Sequence, residues 1–214
     1  MSLTAERRRE EKEQRRHQIV DAAEAVMAAG DWEAATLADV ARRARLSRGL
    51  IYFYFQDKAD LHAAIAHRAM QLLGERFRVV AARHARGIDR IEAIGREYVD
   101  FAEAYPMYFQ ALARLETKEL QGREAPTENE AACLAGGEEV HGFVASVIRG
   151  GIDDGTISPD VGDPLSVSLG LWAFVHGLAQ LSSVKGAMIE QVHGRRPEEM
   201  VAHAMGLIRR ALGR

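Results

Sequence analysis

The stretch Thr36–Leu61, TLADVARRARLSRGLIYFYFQDKADL, decides the fold of this chain. Thr36 carries the short oxygen-bearing side chain that closes helix N-termini, and Leu37, Val40 and Ala41 follow it at helical spacing. Ala44, Arg45 and Leu46 read as a turn, with Leu46 plugging the gap between two helices. Ser47 is the next N-cap. It opens a short helix, Arg48 to Phe55, whose Ile51 and Phe55 share one face. Asp57 and Lys58 restart the chain as a longer helix. Two short helices, a tight turn and a third helix make a helix-turn-helix, whose second helix is sized for the major groove of duplex DNA. That helix sends Arg48, Gly49, Leu50, Tyr52, Phe53 and Tyr54 away from the packed Ile51/Phe55 side. Arg42, Arg43, Arg45, Arg48 and Lys58 against Asp39 and Asp57 make the stretch locally basic, within a chain of formal net charge −3.

The string Thr36, Val40-Ala41, Ala44, Leu46-Ser47, Gly49, Ile51-Tyr52, Tyr54-Phe55, Lys58 and Leu61 resembles the helix-turn-helix of the TetR family of bacterial transcriptional regulators. The resemblance implies an all-α fold, with a three-helix reading head followed by a helical domain for ligand binding and dimerisation. It implies a repressor that binds a palindromic operator as a homodimer and is released by a small molecule. On this chain Thr36, Ser47, Tyr52 and Lys58 would hold phosphates. Arg48, Gly49, Leu50 and Phe53 would face base edges, and Tyr54 would serve either role. The family's turn glycine is replaced by Arg45. A left-handed conformation there costs an L-residue about 1 kcal/mol. Three outcomes stay open: a distorted turn, a strained Arg45 that offers its charge to a phosphate, or a solvated substitution without effect.

Composition sets the class. Of 214 residues, 47% are hydrophobic and 28% charged, enough for a helical core under a soluble surface; only 5 are proline. A charge this close to neutral suits a protein that reads one short site rather than one that coats nucleic acid. The single cysteine, Cys133, fits a reducing compartment and reads as inert, since nothing basic in its sequence neighbourhood would lower its pKa. The charged N-terminus, MSLTAERRREEKEQRRHQ, lacks the apolar centre of a signal peptide. The most apolar run, Leu165 to Val184, is broken by Ser, His, Gly and Gln, so no membrane span and a cytoplasmic location are expected.

About nine helices are expected. Residues 1–14 read as a charged arm, either solvated or reaching DNA beside the reading head; its glutamates argue against tight phosphate binding. Residues 15–62 are the helix-turn-helix domain and 63–214 the ligand-binding and dimerisation domain. The first helix spans Arg15 to Ala29, and Trp32 packs under the head. A long helix from Asp57 to about Ala85 would link the two domains mechanically. Helices follow over 88–105, 107–120, 127–152, 164–190 and 198–212. QGREAPT (121–127) and DDGTISPDVGD (153–163) are loops, and Thr127 with Glu130 forms a capping box.

Two surfaces are assigned in the second domain. On the helix after Pro164, Gly170, Ala173 and Gly177 form a strip without bulk, flanked by Phe174, Leu178 and Leu181. Together with Val201, Ala204 and Ile208 of the last helix it reads as a face doubled by symmetry into a four-helix bundle. The string Leu171-Trp172-Ala173-Phe174-Val175-His176-Gly177-Leu178 resembles the Trp…His-Gly signature of one C-terminal subgroup of the same family, where this helix serves both cavity and interface. Tyr98, Phe101, Tyr105, Met107, Tyr108, Phe109, Phe143, Trp172 and His176 are the candidate pocket lining, for a largely apolar effector. Each of these aromatics taken singly reads first as core, where aromatics at helical spacing more often sit.

An enzyme is not expected: the chain has no GxSxG, P-loop or dinucleotide fingerprint. Neither metal nor cofactor is expected, because the histidines do not cluster at ligand spacing. A second reading, a small-molecule- or protein-binding helical module without specific DNA binding, gains ground if Arg48 and Tyr52 are dispensable.

Overall fold

The computed structural model describes residues 3–30, 32–114 and 125–214. The described residues form nine α-helices: α1 (Leu3–Ala29), α2 (Leu37–Ala44), α3 (Arg48–Tyr54), α4 (Lys58–Ala81), α5 (Gly87–Ala104), α6 (Pro106–Ala113), α7 (Glu128–Asp153), α8 (Pro164–His193) and α9 (Pro197–Leu212). No strand is present among them, in keeping with the all-α expectation. The chain divides into two compact units. One is Met1–Ala69 with Gln110–Leu134, the other Met70–Phe109 with Ala135–Arg214.

In the first unit α1 packs on α2, and α2 on α3. Ile19, Val20, Ala23, Trp32, Val40, Ile51, Phe55 and Leu61 are buried, the apolar set that helical spacing picks out. Helix α1 begins at Leu3, well before Arg15. The supposed arm is helical because its residues are good helix formers, although they are too polar to show an apolar stripe.

A buried polar knot completes this unit. Asp60, in the first turn of α4, accepts hydrogen bonds from the Gln56 backbone N–H (2.9 Å), the Thr127 hydroxyl (2.6 Å) and the Asn129 amide (2.8 Å). Arg16 of α1 donates to the Asn129 side-chain oxygen. The capping box at α7 is formed: the Thr127 N–H donates to Glu130 Oε2 and the Glu130 N–H to Thr127 Oγ1. Cys133 packs with Ala63, Ala66 and Leu112, and burial pushes its thiol up to about 11, which keeps it an unreactive thiol. The expected run of α6 on to Leu120 and most of the QGREAPT loop lie outside the described residues.

In the second unit α5 packs against α8 and α9. The 153–163 segment, read as a loop, is a fastener. Asp154 Oδ2 accepts from the Gly87 N–H (2.7 Å) and Thr156 Oγ1 from the Ile88 N–H (3.1 Å), so it supplies the cap that α5 lacks in its own Arg86. A Cβ at Gly87 would sit 2.2 Å from Gly151 Cα, so glycine is required at this crossing of α5 and α7. Arg209 of α9 ties back to Asp89 and Glu92 of α5.

Helix α8 is long and apolar enough, by length and composition, to cross a membrane: an 18-residue window has mean hydropathy 1.3, with 17% of it buried. Its Ser, Gly, His and Gln are too sparse to lower that mean. The exposed apolar face of α8 is therefore a feature that needs a partner.

Candidate nucleic-acid interface and aromatic core

The reading surface is built by caps. Thr36 Oγ1 accepts from the Asp39 N–H (3.3 Å), and Asp39 Oδ2 accepts from the Thr36 N–H (2.9 Å), closing a capping box on α2. These bonds, with the Thr36 side chain's first, hold the Asp39 carboxyl below its usual range. The Thr36 hydroxyl also donates to Asp39 Oδ2 (2.7 Å), so its proton is engaged within the chain. Ser47 Oγ accepts from the Leu50 N–H (3.2 Å) and retains its own proton to donate.

Arg45 sits at φ 58°, ψ 41°, a left-handed residue, and it alone among the described non-glycine residues has positive φ. Its backbone N–H reaches the Ala41 and Arg42 carbonyls, and its side chain is exposed. The turn thus keeps the geometry that glycine would favour, and the distorted-turn alternative is excluded.

Helix α3 buries Ile51 and leaves Arg48, Gly49, Tyr52 and Phe53 outward; Tyr52 is 59% exposed and Phe53 72%. Leu50 and Tyr54 are half-buried, Tyr54 holding the Phe53 ring edge-on at 5.2 Å. A Cβ at Gly49 would meet nothing within 4 Å, so the backbone there is open to close approach. Lys58 lies apart from this set. Its ammonium donates to the Glu33 carbonyl (2.9 Å) and covers the Trp32 ring at 5.2 Å.

The second unit holds an aromatic core around Tyr98. The Tyr98 hydroxyl shares a 2.8 Å hydrogen bond with His176 Nδ1 and accepts from the Trp172 indole N–H (3.3 Å). Burial pushes the Tyr98 phenol up to about 12 and holds His176 below the ordinary histidine range, so both are neutral at pH 7. Phe109 and Phe77 pack on the Tyr98 ring. His141 meets Trp172 edge-on at 5.5 Å and shares a 3.2 Å hydrogen bond with the Ser168 hydroxyl.

A second group joins Phe101, Tyr105 and Tyr108 in series. Arg76 bonds Glu97 and lies over the Tyr105 ring at 5.4 Å. Seven of the nine pocket candidates thus fall into two clusters. Phe143 instead has its ring covered by Arg78, and Met107 is half-buried outside either cluster's ring contacts. Sequence reading passes over Arg76, Glu97, His141 and Ser168. The available signal is a charge on an apolar stripe: Arg76 falls between Leu73 and Phe77, and Glu97 beside Tyr98.

On α8 and α9 the pairing candidates separate. Gly170, Ala173, Phe174 and Leu181 are exposed; Gly177, Leu178 and Val201 are half-buried. Ala204 and Ile208 are buried within the chain, on the face of α9 that carries Met205 and Arg209 to α5. Leu207 is the exposed large apolar residue of that helix. On α8 the apolar face continues past Leu181 through Val184 and Met188.

A capped helix-turn-helix with an exposed second helix, in a chain whose other unit is helical around an aromatic core, defines a DNA-binding regulator. Residues 19–65 match the family described as bacterial regulatory proteins, tetR family, and residues 91–208 match the tetracyclin repressor-like C-terminal domain. The HTH-type transcriptional regulator HbdR of Aromatoleum sp. (strain CIB) is 45% identical over 49 residues, which are 23% of this chain and 21% of that protein. A bacterial regulatory protein of the tetR family from Rhodococcus RHA1 superposes with a TM-score of 0.67 at 18% identity, covering 93% of this chain and 97% of its own. AibR, solved in complex with isovaleryl coenzyme A and operator DNA, gives 0.65 at 16% identity, covering 90% and 97%. At such identities the structural likeness speaks for the fold. The chain belongs to the tetR family of bacterial regulatory proteins and is a helix-turn-helix transcriptional regulator.

Proposed function

We infer that this protein is a cytoplasmic, non-enzymatic repressor that binds a palindromic operator as a homodimer and lets go when a largely apolar small molecule enters its second unit. The observation that carries the reading is α3. Its Ile51 side is buried, while Arg48, Tyr52 and Phe53 stand out in water beside the open Gly49 backbone. Two large rings this exposed on a two-turn helix have no role in the chain's own core. Arg48 suits a guanine edge, Leu50 and Phe53 suit thymine methyls, and Ser47, Tyr52 and Arg45 suit phosphates. Tyr54 orients Phe53. Lys58, already held by Glu33 and Trp32, is at most a secondary phosphate contact.

The apolar face of α8, with Leu207, supports pairing. Two copies would present two reading helices to half-sites about one helical turn apart. The neutral chain Trp172–Tyr98–His176 and the Arg76–Glu97–Tyr105 group supply the few polar atoms an effector site needs among rings. Helix α4 contributes residues to both units and is the natural carrier of the signal, a population shift driven by whichever state the effector prefers.

Selection from random duplex DNA, followed by anisotropy titration, tests the reading. A palindromic consensus is expected, with Arg48→Ala losing preference for the consensus more than it loses affinity for random DNA. Absence of any enriched sequence with effector-free, refolded protein sinks the reading.

A further inference from the structure

In sequence the first residues of the chain interleave charges, Glu6-Arg7-Arg8-Arg9-Glu10-Glu11-Lys12-Glu13. As the helix that they form, they segregate. Arg8, Lys12 and Arg15, with Arg9 and Arg16 on the adjoining ridge, fall at spacings of three, four and seven on one side of α1. Glu6, Glu10 and Glu13 fall on the other side, and Glu11 is taken by Arg7 at 3.0 Å. The basic ridge continues, one turn further on, into the positions where Ile19, Ala22 and Ala23 are buried.

The helix is also located relative to the reading surface. Gln18 donates to the carbonyl of Ala44, the last residue of α2, at 3.1 Å, and Arg16 lies over the ring of Phe55, which caps α3, at 5.9 Å. Both anchors belong to the helix-turn-helix. Arg15 donates to Gln18 (2.6 Å) and Arg16 to Asn129, while Arg8, Arg9 and Lys12 project into solvent. From Arg16 back to Arg8 the helix advances about 12 Å. Duplex DNA carries one backbone charge per about 1.7 Å of its axis, so a stripe of that length can meet several phosphates.

We propose that the N-terminal part of α1 is a second DNA-contacting element, a basic ridge that starts beside the helix-turn-helix and binds the phosphate backbone of duplex flanking the half-site. It rests on the reading of α3 as the groove-binding helix. The ridge reads no bases. It adds affinity and salt dependence, and it makes the footprint longer than the half-sites.

The test replaces three side chains together, Arg8→Gln, Arg9→Gln and Lys12→Gln, which removes charge while keeping helix propensity. Binding to the selected operator is titrated across salt concentrations on two duplexes, one trimmed to the half-sites and one carrying flanks. Removing a single phosphate neutralisation reduces the log–log salt slope by about 0.9, so one per protomer in a dimer lowers it by about 2 on the flanked duplex. On the trimmed duplex variant and wild type should converge, and the selected consensus should be unchanged. Equal slopes and affinities for variant and wild type on the flanked duplex overturn the proposal. A wild-type protein without any sequence preference overturns the underlying reading instead, so the two failures are distinct.

Discussion

Removing the Asp60 carboxylate should loosen the first unit by about 3 kcal/mol, the lower-middle of what two stranded buried donors cost at about 1–3 kcal/mol each. Asp60 is 2% exposed and accepts from three donors. In Asp60→Ala the exposed Gln56 N–H turns to water, but the Thr127 hydroxyl and the Asn129 amide stay inside without their acceptor. The α4 N-terminus also loses a carboxylate that its dipole favours. Hydrogen exchange read by mass spectrometry on peptides from α1, the first turns of α4 and the start of α7 is the suitable assay, because it reports on this unit alone. A loss of about 3 kcal/mol speeds exchange there roughly 150-fold. Adding Thr127→Val to the variant should recover part of the loss, since it takes the stranded hydroxyl away. Wild-type exchange rates in Asp60→Ala would refute the view that this knot holds the unit together.

Gly177→Glu should yield monomers in analytical ultracentrifugation without unfolding, because a Cβ at that position meets nothing within 4 Å in the chain itself; an intact dimer removes α8 as the pairing face. Arg45→Gly should stabilise the first unit only slightly, by up to about 0.6 kcal/mol, the relief of about 1 kcal/mol of left-handed strain less the about 0.4–1 kcal/mol of glycine's greater freedom when unfolded. If Arg45 touches a phosphate, the same variant should lower the salt slope by about 0.9 per protomer. Stability should fall between pH 7 and pH 5. Burial lowers the folded pKa of His62, His141 and His176 below the ordinary 6.5, so the unfolded chain takes up protons first as pH drops, and the stability present above that value is lost. Replacing His176 with Gln should flatten the thermal-melt pH profile, and an unchanged profile would rule His176 out as a contributor.

The parts of the fold legible in sequence are those set by near neighbours. Thr36 with Asp39, Ser47 with Leu50, and Thr127 with Glu130 are contacts three residues apart, and Ile51 with Phe55 a contact four apart, so composition and spacing reveal them. The left-handed Arg45 is visible as a departure from an expected glycine. What stays hidden depends on distance along the chain. Asp60 and Asn129 are joined across 69 residues, and Arg76 and Glu97 across 21. Ala204 and Ile208 share the amphipathic pattern of an interface residue, but periodicity only says that a face is covered, not whether the chain covers it itself. The start of α1 escapes notice for a related reason. Its side chains form a stripe of charge rather than of apolar surface, and hydrophobic periodicity does not register such a pattern.

The Asp60 knot also bears on how this regulator can be taken apart. Its reading unit is discontinuous, Met1–Ala69 completed by Gln110–Leu134. A cut after residue 69 would strip Asp60 of Thr127 and Asn129 and leave Arg16 without its amide. Grafting this reading head onto a foreign sensor therefore calls for two splice junctions rather than one, with the segment around Thr127 travelling alongside the helix-turn-helix.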